Sequence, residues 1–118
     1  MTIARTGVPA FLHEAFPAVV PAPDEGADHA CDVFVSAIVA AAEGDSQPQE
    51  DPFLVQAFAV IETIATEGDR LARDMIQDDV CEALECLLHD EPGRLAACLE
   101  LMGPQTRTLM EQLLRGPA

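Results

Sequence analysis

Acidic residues spaced for one side of a helix are the first chemistry this chain offers. In RDMIQDDVCEALECLL, residues 73–88, Asp74, Asp78, Glu82 and Glu85 follow one another at steps of four, four and three. On a helix of 3.6 residues per turn these positions make a single column. Paired carboxylates can do general acid and base work, but only in a sheltered cleft that separates their pKa values. A column on the polar side of an amphipathic helix is instead expected to be solvated, with Asp78 and Glu82 at its centre. Neighbouring like charges cost about 0.2–0.5 kcal/mol per pair, so the column asks for a reason other than helix stability.

Metal chemistry would draw on DHACD, which holds Asp28, His29, Cys31 and Asp32, or on CLLHD, which holds Cys86, His89 and Asp90. Neither has the spacing of a paired CxxC or an HExxH site. The Glu-x-x-His pairs of a carboxylate-bridged bundle are also absent. His29 near a helix start and His89 near a helix end read as exposed polar residues, the latter favoured by the helix dipole. Ser36 and Ser46 have no nucleophile motif around them, and Gly26 and Gly44 stand alone rather than in a phosphate-cradling loop. Neither a cofactor nor an enzymatic activity is expected.

Glu62 is an acid inside the most apolar segment of the chain. One reading makes it the narrow solvent side of its helix. The other makes it the lining of a groove, waiting for a basic side chain from a partner.

The elements that must position these groups are read from their ends. Pro9 suits the first turn of a short helix that Pro17 limits, and the Pro-rich stretch 17–28 reads as a loop, with Val19 and Val20 free to tuck onto the core. A second helix runs from a possible cap at Asp28 to Gly44, with Val33, Phe34, Ala37, Ile38 and Ala41 at helical spacing. Asp51-Pro52 starts a third, ending at Gly68, in which Phe53, Leu54, Ala57, Phe58, Val60, Ile61 and Ile64 leave little polar surface; it should be central. The Gly68-Asp69 connection is short enough to fold a fourth helix, Arg70 to about His89, back as an antiparallel hairpin. Its inward face is Ala72, Ile76, Val80, Ala83, Leu84 and Leu87, nearly opposite the acids. Pro92 and Pro104 open the last helices. The chain, 1–118, is therefore expected to be a single all-α domain, a compact bundle of five or six helices built from antiparallel hairpins. An arm-repeat-like stacking is one form of it, although no self-similar period establishes a solenoid.

Composition narrows the partners. Apolar residues make up 49% of the 118, enough for one core. Six Arg and no Lys face 21 Asp and Glu, for a net charge of −15. A field of that sign repels phosphate backbones and anionic lipid and favours a basic protein partner, although it also serves solubility. The longest apolar stretches are too short to span a bilayer. No apolar run of signal length follows Met1, so Cys31, Cys81, Cys86 and Cys98 are expected as reduced thiols of a cytoplasmic protein.

The segment FAVIETIATEGDRLARDMIQDDVCEALECLL, followed by LMGPQTRTLMEQLL, resembles small helical bacterial proteins of unassigned function, many of them similar to immunity proteins of polymorphic and contact-dependent toxin systems. The resembling features are Ile61-Glu62, the Gly68-Asp69 turn, Glu85 before Leu87, and Gly103-Pro104. They span Phe53 to Leu114. The resemblance implies a protein that binds and blocks one toxin without turnover. The acidic column would then be the docking face, with Met75 as a nearby apolar anchor and Glu62 a further contact. Alternatives are a phage-type acidic nucleic-acid mimic and a homo-oligomeric structural or adapter module. A metal-dependent enzyme is the outside case.

Overall fold

Asp51 and Asp69 open two helices in the way their sequence positions suggest, each carboxylate accepting N–H groups that a helix start leaves without partners. Asp51 Oδ1 accepts from Phe53 N at 2.9 Å and Leu54 N at 3.3 Å, and Asp69 Oδ1 accepts from Ala72 N at 2.9 Å. The computed structural model describes residues 2–20, 27–44 and 48–115; the expected cap at Asp28, the side chains of His29 and Leu87, and Gly26 and Ser46 lie outside the described residues.

The helices are α1 (Val8–Ala15), α2 (Ala27–Ala42), α3 (Pro52–Glu67), α4 (Arg70–Met75), α5 (Glu82–Leu88), α6 (Pro92–Leu101) and α7 (Pro104–Arg115). Between α4 and α5 the backbone continues unbroken through a π-helical segment, Ile76–Cys81, so the three form one rod. With that rod counted once, the described residues form six helices in an all-α bundle. Prolines stand in the first turns of α1, α3 and α6. There they lose no helical hydrogen bond.

Helix α3 is central, packing against α1, α2, α4, α6, α7 and the π segment. Leu54, Ala57, Phe58, Ile61, Ile64 and Ala65 are buried along it. In α2 the buried stripe is Ala30, Cys31, Phe34, Val35, Ile38, Val39 and Ala42. It lies to one side of the expected line, because Val33, Ala37 and Ala41 are only half-buried. Val20 tucks onto the core as expected, and the His13 Nδ1–H donates to its carbonyl at 2.7 Å. Phe16 stacks beside Phe34 and edge-on to Phe53 with ring centroids 5.4 and 5.3 Å apart. The buried side chains form one contiguous core. The radius of gyration is 13.3 Å, close to the ~13.5 Å of a single domain of this length.

At the α3–α4 turn Gly68 lies so close to α3 that a Cβ there would overlap the Ile64 carbonyl oxygen. Ile3 pairs with this turn from the chain start: its N–H donates to Glu67 O and its carbonyl accepts from Asp69 N, both at 2.8 Å. The pairing is an isolated parallel bridge rather than a strand.

The π segment follows from the spacing of the apolar residues. Ala72, Ile76, Val80, Leu84 and Leu88, all buried, recur at every fourth position. On a regular α-helix that stripe would drift by roughly 160° from Ala72 to Leu88. A wider π turn, closed by i→i+5 bonds, turns less per residue and keeps the stripe against the core. Neighbouring positions are buried in pairs along the rod, Met75 with Ile76 and Val80 with Cys81, as they are in α2.

Candidate functional site

The acidic column occupies the outer side of the α4–π–α5 rod, with Asp74, Asp78 and Glu82 exposed and Glu85 half-buried. Helix α7 lies alongside. The Gln77 side chain ties the two by donating to Leu109 O at 2.9 Å and to Gln112 Oε1 at 3.4 Å. This bridge stands between two clefts. Asp74 lines the first, about 250 Å³, with Arg70, Arg73, Gln105, Thr108 and Gln112. Glu82 and Glu85 line the second, about 330 Å³, with Cys86, Leu113 and Leu114.

Glu85 also meets His89, whose Nδ1 lies 3.3 Å from Glu85 Oε1. With His89 74% exposed, the pair adds little to stability. Asp74, Asp78 and Glu82 make no hydrogen bond or ion pair among the described residues. All three carboxylates face water.

Met75 does not belong to this face. Its side chain is 3% exposed and is part of the core, so it cannot serve as an apolar anchor for a partner. Met75 lies three residues after Ala72 and one before Ile76, on the face that α4 turns to the core.

Glu62 is likewise not a groove residue awaiting a cation. Its carboxylate reaches from α3 to the N-terminus of α7 and accepts four hydrogen bonds there and on its own helix. Oε1 accepts from Thr106 N and Thr106 Oγ1, both at 2.9 Å; Oε2 accepts from Gln105 N at 3.1 Å and Thr66 Oγ1 at 3.3 Å. Gln105 and Thr106 carry the N–H groups that a capping side chain just before α7 would satisfy. The residue at that place is Gly103, which has no side chain.

The missing Cβ is the condition for the arrangement, since one built on Gly103 would overlap Glu62 Cγ and Cδ. Thr106 is fully buried, and among the described residues its hydroxyl finds its hydrogen bond on this carboxylate. Partial burial of Glu62 pushes its pKa up, but the bonds from Thr106, Gln105 and Thr66 outweigh it and hold the carboxyl below its ordinary value. Two of the stretches that carried the sequence resemblance, Ile61-Glu62 and Gly103-Pro104, thus meet in space.

Half of the arginines are turned onto helix ends. Arg73 Nε donates to Ala65 O in the last turn of α3 at 3.1 Å, and Arg107 Nη2 donates to Leu99 O of α6 at 2.7 Å. Arg94 Nη1 donates to Ala42 O and, at 2.8 Å, to Gly44 O, closing the end of α2, while Arg94 Nε pairs with Glu91 at 3.0 Å. Each guanidinium donates to a carbonyl in the last turn of a helix, where a cation also complements the dipole. Nothing in the local sequence marks these pairings, because each donor comes from another helix.

Cys31, Cys81 and Cys98 are buried thiols, and burial alone pushes Cys81 up to about 12 and Cys98 up to about 11. Such thiols are poor nucleophiles and poor metal ligands. Cys86, by contrast, is exposed. Among the described residues, no three His, Cys, Asp or Glu side chains gather as a metal site. None of the helices among them is long and apolar enough to cross a membrane. Comparison with protein-family models, with curated proteins and with solved structures gives no match.

Proposed function

We propose that this chain is a non-enzymatic binding protein whose acidic face occupies a basic surface of a protein partner, as an immunity protein occupies its toxin. The observation that carries the reading is the division of labour among its charges. Asp51, Glu62 and Asp69 are used inside the fold as helix caps, and Arg73, Arg94 and Arg107 are used on helix carbonyls. Asp74, Asp78 and Glu82 have no such use and stand together on one side of one rod. In a chain of net charge −15, Asp78 and Glu82 face solvent with no cation paired to them among the described residues, while Asp74 at the end of the strip shares its cleft with Arg70 and Arg73. Such a strip steers a basic surface into encounter and gives register once it docks. Binding rather than catalysis is favoured because these carboxylates lack the enclosure that would separate their pKa values.

The test is association in a lysate of the source organism, at low and high salt, of the parent and of a variant with Asp74, Asp78, Glu82 and Glu85 changed to Lys. A basic protein captured by the parent, released by salt and missed by the variant is the expected result. Equal capture by both would leave the strip a solvated surface. Recovery of the chain alone would favour the homo-oligomeric module.

A further inference from the structure

Resting on the reading above, we infer that the contact with a basic partner is anchored at the C-terminal end of α7, on Leu113 and Leu114, rather than on the α4–π–α5 rod itself. Leu114 is 52% exposed, one of the few large apolar side chains left open to water among the described residues. It borders two clefts at once. On one side lies the 330 Å³ cleft shared with Glu82, Glu85, Cys86 and Leu113; on the other lies a cleft of about 280 Å³ with Leu99, Glu100, Met110 and Glu111. The cleft beside Met110 is lined mainly by apolar surface and the one beside Glu82 mainly by polar surface, and both carry carboxylates.

Four acids, Glu82, Glu85, Glu100 and Glu111, therefore surround one exposed leucine. The nearest cation lining either cleft, Arg107, has its guanidinium drawn to the Leu99 carbonyl. An apolar centre within a charged rim is how protein interfaces are built, the centre supplying affinity and the rim supplying partner choice. The rim here selects positive charge.

The occupant that fits is a basic amphipathic helix of the partner protein. Two of its aliphatic or aromatic side chains, about one helical turn (~5.4 Å) apart, would seat on either side of Leu114, with Arg or Lys flanking them over the glutamates. Glu82 and Glu85 belong both to this rim and to the column, so the anchor extends the acidic face rather than competing with it.

The probe is a labelled synthetic peptide of Leu and Lys with Leu at i, i+3, i+4 and i+7, titrated by fluorescence anisotropy beside a control in which Gln replaces Leu and every Lys is kept. The Leu–Lys peptide is expected to bind the parent about tenfold or more tightly than the control, and Leu114→Asn to erase that difference with melting unchanged. Equal binding of both peptides, salt-sensitive and indifferent to Leu114→Asn, would overturn the anchor and leave the acidic reading standing. Leu114-dependent binding that ignores salt and the four-Lys variant would overturn the acidic reading and the rim with it. Binding of neither peptide would overturn both. A dimer of the protein alone that Leu114→Asn converts to monomer would make a second copy the occupant and overturn the basic partner.

Discussion

Glu62 on α3 and the acids of the α4–π–α5 rod carry the same functional group under contrasting conditions. Glu62 sits within the most apolar helix, half-buried, with both oxygens engaged at the start of α7. Asp74, Asp78 and Glu82 sit on the polar side of an amphipathic rod, exposed and without partners among the described residues. The first is part of the architecture and the others are left over from it. An acid in an apolar context points to an internal hydrogen-bond debt. Acids in a polar context point outward, to solvent or to a partner.

That contrast breaks most visibly under truncation. Glu62→Ala leaves the Thr106 hydroxyl and two helix-start N–H groups without an acceptor, and is expected to cost about 2–3 kcal/mol, lowering Tm by roughly 10 °C. Charge reversal across Asp74, Asp78, Glu82 and Glu85 is expected to move Tm by less than a third of that, since surface charges away from such networks act weakly. Thermal melting followed by circular dichroism compares the two, and similar losses would erase the distinction.

A smaller effect comes from the other side of the same contact. Gly103→Ala pushes a methyl group into the Glu62 side chain and is expected to cost about 1–2 kcal/mol. Because both changes act on one cap, the double variant should fall well short of the sum, and a double-mutant cycle in urea measures the shortfall. Strict additivity would mean that the glycine is required for something other than the carboxylate.

The pH dependence sharpens the comparison further. The folded Glu62 carboxyl is held below its ordinary value, so its stabilisation is complete above the unfolded pKa of about 4.3 and is lost as pH falls through the lower folded value. The stability gap between the parent and Glu62→Gln, widest at neutral pH, should therefore close on acidification below about pH 4. Melting at a series of pH values follows it, and a gap that widens in acid would contradict the assigned hydrogen bonds.

Helix ends were the most legible part of the fold, because Asp51-Pro52, Asp69, Pro92 and Pro104 act on the residues immediately beside them. The π segment was less so, although its signal lies in the sequence: apolar residues at every fourth position do not suit a 3.6-residue turn. Reading Met75 as a neighbour of the acids overlooked that it shares the inward face of α4 with Ala72 and Ile76. Glu62 was visible as an oddity but not as a cap, since its meaning depends on a glycine distant in sequence that only the fold brings within reach. The Leu113–Leu114 end was overlooked for a similar reason. Its acidic surroundings come from α5, α6 and α7 together, and no single helix displays them.

The bridge between Ile3 and the Gly68 turn bears on how the molecule assembles. Its two hydrogen bonds join positions separated by more than half the chain, so they close one of the longest loops in the structure. The entropy of that closure is met only when α3 and α4 have already formed the turn that receives it. The placing of Ile3 is thus subordinate to the α3–α4 hairpin, and a change that opens the Gly68 turn is expected to release Ile3 with it.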